Sequence, residues 1–558
     1  VNTIKIDKFI LKYEKFLISL LLIIGIIFIF FRNYSLLPMI MSDEYYSQLN
    51  SRFLNLEEST NSNYLFNFIY SLTNYCDSGF YLCAKSINLI FFTIGNIVLY
   101  FFFKSTSKVF FSYLIIVSLY LGPINSYTSY FTQESLVFFL FWILSFFFLK
   151  LENQNNFLKI IFLITFFFII DLSKSYGLFF IITFIIYMKV QFYLKNLLFF
   201  DFIKIVLFGL FFYLALKYLF ILLFNTDFYI ISKLHEDNFF KNFDKINFYD
   251  LLLIPKYFFI NFYGHLITLF SVFGIMIYVN GLYLKNNILI KKKMNFLQKF
   301  YLFGLIYIFI LISFTALANS ITQINIINYP YESIYRIHFR YYVYAIPILM
   351  IPIFDRDFNF NQIKLNIYFF TIIFLFFFSS LFFLSFSPYT PYKFDNPYLR
   401  GLSWNKIVFI ILLFALSANY IQFFFSRKKS LFIFILILFP ILNLTSSAYI
   451  SNEQLYNKPE NANIYNKIGA DLKNKKIDFD NALILGDYEP GLYEILWYVD
   501  SKHTKFQIIN FNKKLTFKNI SNNLEYLIVV NPKSPLNNHI DKFSVFYKDQ
   551  NYYIYKKK

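Results

Sequence analysis

Apolar runs of about twenty residues, parted by short polar gaps, fill most of the chain, and a run of that length spans a bilayer as a helix. About thirteen such runs are counted on this spacing. They fall near 16–37, 84–103, 109–123, 135–149, 157–170, 178–190, 197–224, 256–284, 298–318, 341–354, 366–386, 405–425 and 431–450. After 450 the pattern changes to short β-rich runs, "NALILGD", "FQIINF", "YLIVVN", "FSVFYKD" and "YYIYKK", with a helical stretch, "GLYEILWYV", after the first. That alternation predicts a small α/β domain. The predicted organisation is a polytopic helical membrane region over 1–450, with a long first loop at 38–83, and an α/β domain over 451–558.

The polar gaps sort by charge. With Lys5, Lys8, Lys12 and Lys15 placed in the cytoplasm, one set of gaps holds Lys104 and Lys108, Lys150 and Lys159, Lys189 and Lys195, the lysines at 291–293, Arg356 and Lys364, and the basic run at 427–429. The alternate set holds Asp43, Glu44, Glu57, Glu58, Asp77, Glu134, Asp171, Asp227, Glu236 and Glu332. The positive-inside rule asks for that division. The basic N-terminus with no small-residue cleavage site reads as an uncleaved first span. An odd number of spans then puts the C-terminal domain outside the membrane on the far face.

Composition agrees. The 558 residues are 58% hydrophobic and 15% charged, with a mean hydropathy of +0.53, which excludes an ordinary soluble domain. A net charge of +19 would suggest nucleic acid, but its confinement to gaps between spans makes it a topology signal. The excess of Phe, Tyr, Ile, Asn and Lys matches AT-rich codons, and Val1 reads as an alternative start codon, so a bacterial cytoplasmic membrane is expected. Cys76 and Cys83, seven residues apart, would stand roughly 10 Å apart on a continuous helix, too far for a disulfide.

Candidate chemistry gathers at the predicted outer ends of the spans. "PMIMSDEYYSQLN" places Asp43 and Glu44 just beyond the first span, and "YTSYFTQES" places Glu134 at the start of another. "DLSKSYG" puts Asp171 and Lys174 in a tight turn, and "ESIYRIHFRYYVYAIP" supplies Arg336, His338 and Arg340. Acids beside Lys and Arg at the membrane surface suit transfer from an anionic lipid phosphate: cations hold phosphate oxygens and a carboxylate takes the acceptor's proton.

These four segments resemble, in order, motifs of the GT-C glycosyltransferase superfamily, which includes bacterial relatives of protein O-mannosyltransferases and the lipid A aminoarabinose transferase. "SDEYYSQLN" is similar to the first-loop Asp-Glu motif, and "YTSYFTQESLVFFLFWIL" to the second-loop segment with an acid opening a span. "LSKSYGLFF" resembles the Thr/Ser-Lys-x-x-Gly turn, and "HFRYYVYAIPIL" the Arg-Tyr segment ending in Pro. The resemblance covers most of residues 1–360; Glu134 follows Gln133 where many relatives carry an Asp.

The resemblance implies a polyprenyl-phosphate sugar donor, an acceptor at the outer face and inverting displacement. It implies Asp43 as general base, Glu44 as its positioning neighbour and Glu134 as a second acidic site residue. Lys174 and Arg340 are the implied phosphate contacts, with Arg336 and His338 at the same edge. Lys85 stands where relatives often carry an arginine, although a lysine at a span end commonly snorkels. Some members bind a divalent metal through carboxylates; no dense Asp/Glu/His cluster here has ligand spacing, so metal dependence stays open and none is assigned. "DRD" at 355–357 mimics a metal–nucleotide-sugar motif but falls in a predicted cytoplasmic gap and reads as a solvated turn. A transporter or flippase of a lipid-linked or anionic substrate is the alternative, opposed by the few Gly and Pro, 14 each, and by the lack of ionisable residues in mid-span. An O-antigen ligase or polymerase shares the donor class without the Asp-Glu motif. The tail "ILGDYEPGLY" lacks a Gly-rich phosphate loop.

Overall fold

The computed structural model describes residues 3–39, 41–59, 61–106, 116–150, 156–194, 198–226, 248–289, 296–324, 333–350, isolated positions between 351 and 393, 394–403, 405–426, 430–475 except 432, 477–509, 524–530 and 543–558. Lys108, Lys195, the lysines at 291–293, Asp227, Glu236, Glu332, the 355–357 motif, Lys364, most of the span expected at 366–386 and the basic run at 427–429 lie outside the described residues.

The chain is a multi-pass membrane protein with a small sheet at its C-terminal end. Among the described residues six helices are long and apolar enough to cross a bilayer, or seven if the bent pair Leu251–Phe270 and Val272–Leu282 counts as one span. α1 (Thr3–Asn33) leads. A short helix, α2 (Met41–Gln48), follows it, then α3 (Tyr64–Tyr70) and α4 (Phe80–Thr106). The helices α5 (Glu134–Lys150), α6 (Asn156–Ser173) and α7 (Gly177–Tyr193) are 17 or 18 residues long, close to the shortest that span. Long α8 (Phe199–Phe224), α9 (Phe248–Leu289) and α10 (Phe296–Ile324) come next. α11 (Pro397–Ser403), α12 (Lys406–Phe425) and α13 (Phe439–Leu455) complete the bundle.

α1 and α8 expose much of their apolar surface, including Ile23, Ile27, Phe31, Leu207, Phe211 and Leu222. In water that would be untenable; against lipid it costs nothing. The stretch expected as a span at 341–354 is different. Within its described residues, 341–350, Val343–Met350 is a tight 3-10 segment with Pro347 inside it, and all eight residues of that segment are buried in protein. Trp142 donates its indole N–H to the Tyr344 carbonyl at 3.0 Å, so neighbouring side chains meet backbone groups that a regular helix would satisfy internally.

The five strands read from the tail are all present: β1 (Ala482–Gly486), β2 (Lys505–Ile508), β3 (Tyr526–Val530), β4 (Phe543–Lys548) and β5 (Tyr552–Lys557). Their order is β2-β1-β3-β5-β4. β1 pairs in parallel with β2 and β3, while β5 runs antiparallel to β3 and β4. Every residue of β3 is buried, as the unbroken apolar run "YLIVV" requires of a strand covered on both faces. α14 (Ile464–Lys473) and α15 (Glu489–Val499) pack on one face, where Leu472, Leu492 and Ile495 meet Ile484, Ile528 and Ile554.

One expectation is overturned. Cys76 and Cys83 form a disulfide, with Cα atoms 6.4 Å apart. The helical estimate failed because the backbone is not helical between them: Asp77 has φ 42° and ψ −121°, which breaks the tight turns of 71–79 from α4.

Candidate functional site

Five helix ends meet in one region: the C-terminal end of α1, the start of α4, the start of α5, the end of α6 and the start of α7. Helix ends carry unsatisfied backbone groups, and here buried side chains meet them. Lys85 Nζ donates to the Asn33 carbonyl at 3.1 Å and the Leu36 carbonyl at 2.7 Å. It is 2% exposed and lies 3.7 Å from the centre of the Tyr81 ring. Lys85 thus does not snorkel; it ties off the end of α1. Beyond it the chain turns at Ser35, φ 59°, and Leu37 N–H donates to the Asn457 carbonyl at 2.8 Å.

α2 then carries Asp43 and Glu44 in its first turn, where carboxylates are favoured by the helix dipole. The two adjacent acids have opposite surroundings. Glu44 is fully buried. Its Oε2 accepts the Met39 N–H at 2.7 Å, and its Oε1 accepts the Tyr81 hydroxyl and the Phe131 N–H, each at 2.8 Å. Those bonds fasten α2 to α4 and to the segment ahead of α5. The Asp43 side chain is 41% exposed, and its Oδ2 accepts from Nη1 of Arg340 at 2.6 Å.

Arg340 is the hub. Its Nε stands 3.2 Å from Oδ1 of Asp395, its backbone N–H donates to the Asp395 carbonyl at 2.9 Å, and its guanidinium lies 4.4 Å from the Phe394 ring centre. Asp395 also receives Arg336 Nε at 2.6 Å and faces His338 Nδ1 at 3.4 Å. Burial alone would raise the Asp395 carboxyl, but the charges of His338, Arg340 and Arg336 outweigh it and hold the group well below the usual carboxylate range. Asn261 fixes the same segment by donating to the carbonyls of Ile334 and Arg336 at 2.7 and 2.9 Å. His338 also stacks on Tyr341, with ring centres 5.4 Å apart.

Lys174 comes from the turn between α6 and α7. Its Nζ donates to Oε1 of Glu134 at 2.8 Å, and it lies 5.1 and 5.2 Å from the ring centres of Tyr176 and Tyr341. Tyr341 also sits against Arg340, so the Lys174–Glu134 and Arg340–Asp43 pairs share one aromatic neighbour. The turn depends on Gly177: a Cβ there would come within 2.0 Å of the Tyr213 hydroxyl and 2.6 Å of the Asp171 Cγ. Asp171 belongs to that packing. It accepts the Gly177 N–H at 2.8 Å, the Tyr213 hydroxyl at 2.7 Å and Lys217 at 3.2 Å.

The structure therefore brings Asp43, Glu134, Lys174, Arg336, His338 and Arg340 into one cluster of charges and rings. It places Glu44 and Lys85 in the supports beneath. Asp395 was missed, although it falls in the predicted gap between the spans at 366–386 and 405–425, on the acidic side. A lone acid before Asn-Pro looks like a turn residue, and only the fold shows that it is 1% exposed between two arginines. Among the described residues no three His, Cys, Asp or Glu side chains stand together as a metal-ligand group.

No family model matches the sequence, and no curated protein matches it. In fold, the chain is similar to the crystal structure of ArnT from Cupriavidus metallidurans bound to undecaprenyl phosphate, at 12% identity and a TM-score of 0.48, over 96% of this chain and 97% of that one. At that TM-score the likeness is one of outline, and the roles proposed below rest on this chain's own residues.

Proposed function

We propose that the protein transfers a sugar from a polyprenyl-phosphate-linked donor to an acceptor at the outer face of the cytoplasmic membrane, by inverting displacement. The observation that carries this reading is the difference in exposure within the cluster. Asp43 is 41% exposed at the side chain, whereas Glu134 and Asp395 are 3% and 1% exposed. Only Asp43 among these carboxylates is both open to an incoming acceptor and paired with a cation able to hold phosphate.

In the proposed reaction the donor phosphate takes a place on Arg340, with Lys174 beside it, and competes with Asp43 for the guanidinium. Asp43, released from that pair, accepts the proton of the acceptor hydroxyl or amine as that atom bonds to the sugar's anomeric carbon. The anomeric carbon–oxygen bond breaks, its electron pair leaves on the lipid phosphate, and Arg340 and Lys174 meet the new charge. Attack from the face opposite the leaving phosphate inverts the anomeric centre. Glu134 and Asp395, each paired with one of the two cations, offset the repulsion between Lys174 and Arg340 and hold both in place. The Cys76–Cys83 disulfide supports an outward first loop, since such bonds persist in oxidising compartments.

Purified protein in lipid vesicles, offered radiolabelled polyprenyl-phosphate sugars, should release sugar from at least one of them. Folded protein that releases sugar from none would remove the assignment in favour of transport.

A further inference from the structure

α2 has only eight residues and runs on into a π-helical turn, Leu49–Phe53; a helical run of that combined length is still marginal on its own hydrogen bonds. The first turn of α2 is fixed by Glu44, as described above. Its last turn is fixed from the opposite end of the chain. The Asp500 carboxylate, just past the end of α15, accepts from Gln48 Nε2 at the end of α2 and pairs with Arg52 one turn further on. Gln48 also reaches the Trp497 carbonyl at 3.4 Å. Gln48 is 1% exposed and the Arg52 side chain 7%, so the contact is interior.

Asp500 occupies a backbone position that suits another residue better. It caps α15 in the left-handed conformation, φ 53° and ψ 47°, where glycine meets no steric penalty and a Cβ does. A helix stop alone would favour glycine there. What Asp500 offers that glycine cannot is a carboxylate, and it is committed to α2 and Arg52. The neighbouring contacts have the same direction. Tyr45 of α2 lies in the apolar core of the C-terminal sheet with Leu492 and Ile495. Trp497 packs edge-on to Tyr81, ring centres 4.9 Å apart, and 6.0 Å from Phe131; the Tyr81 hydroxyl and the Phe131 N–H both donate to Glu44.

We propose that Asp500 is a positioning residue: through Gln48 and Arg52 it latches the helix that presents Asp43, and so makes the C-terminal α/β region a working part of the transfer site. The inference rests on the proposed role of Asp43. Without the latch the last turn of α2 frays, Asp43 loses its fixed place against Arg340, and misplacement of a reacting group by about 1 Å lowers turnover on the order of 100-fold.

Asp500→Gly tests this cleanly in the full-length protein, because it removes the carboxylate while relieving the backbone. Amide hydrogen exchange over 41–53 should quicken while α15 and the sheet stay protected. Sugar release should show kcat reduced roughly 10- to 100-fold with donor KM little changed. Asp500→Asn, which tolerates the same backbone and still accepts from Gln48, should fall between. Lys502→Ala, which removes the more exposed Lys502–Glu58 pair at 2.9 Å, should change neither readout. Unchanged exchange over 41–53 in Asp500→Gly would overturn the latch. Faster exchange with unchanged kcat would overturn its role in the reaction. If the wild type releases no sugar from any donor, the transfer reading fails by itself, and exchange over 41–53 still decides whether Asp500 holds α2.

Discussion

Oδ2 of Asp43 lies 2.6 Å from Nη1 of Arg340, across 297 residues of sequence. That one contact joins the first loop to the segment that carries Arg336, His338 and Arg340, and it makes the open carboxylate and the hub cation a single unit. Each has a second tie, Arg340 to Asp395 and Asp43 through its helix to Glu44, so neither is placed by the pair alone.

If Arg340 and Lys174 hold phosphate, their loss should appear in donor binding before anything else. Arg340→Ala and Lys174→Ala should each weaken binding of a polyprenyl phosphate by about 10- to 100-fold, in line with charge-assisted hydrogen bonds at roughly 1.5–3 kcal/mol. Equilibrium binding to detergent-solubilised protein measures it. Unchanged affinity in both variants removes them from the donor site.

Glu44 should behave unlike its neighbour. Glu44→Gln leaves one oxygen to accept and turns an NH2 toward a donor, so it leaves a buried group unmatched at a cost of about 1–3 kcal/mol. A lowered thermal midpoint is expected, together with a partial loss of kcat of the size expected for Asp500→Gly, because Glu44 holds the turn that carries Asp43. A full loss of turnover at unchanged stability would instead put Glu44 in the chemistry.

Asp395 sets an acid limit. Its carboxyl is held well below the usual range by His338, Arg340 and Arg336 against the opposing effect of burial. A carboxyl depressed in the fold contributes stability that is present above its unfolded pKa, about 3.9, and is lost as pH falls towards the folded value. Thermal midpoints should therefore be little affected by Asp395 between pH 7 and about 4 and should drop on further acidification to about pH 2 in the wild type, more shallowly in Asp395→Asn. At pH 7 the variant should already be weaker, by about 3–5 kcal/mol for breaking a buried pair. Parallel pH profiles would contradict this account.

Gly177→Ala should disturb the Lys174 turn, since the new methyl group meets the Tyr213 hydroxyl and Asp171. Overpacking of this kind costs about 1–3 kcal/mol. Tyr213→Phe in the same chain should recover part of it by removing the nearest atom, as thermal unfolding would show.

Much of this arrangement is legible in the sequence, and the gaps have physical causes. Alternation and apolar length suffice for β1 to β5 and for the long helices, because each pattern repeats within its own element. The segments holding Asp43, Glu134, Lys174 and Arg340 stand out as charges at span ends. Their pairing does not, since Lys174 finds Glu134 and Arg340 finds Asp43 only after the bundle has packed. Asp395 and Asp500 do not stand out in the sequence for the same reason: their burial and partners come from distant chain. Cys76 and Cys83 were set apart by extending a helix through Asp77, a single residue whose positive φ no periodicity reveals. Lys85 at a span end looked like a snorkelling cation, yet it satisfies carbonyls of the preceding span.

The most direct test of the whole account is single-turnover release of sugar from a polyprenyl-phosphate donor by wild type and Asp43→Asn in lipid, with donor affinity measured on the same samples. The account predicts that Asp43→Asn binds the donor at least as well, because Arg340 is relieved of a competitor, and transfers about 100- to 10,000-fold more slowly, the range expected for loss of a general base. Transfer by Asp43→Asn at the wild-type rate would contradict it.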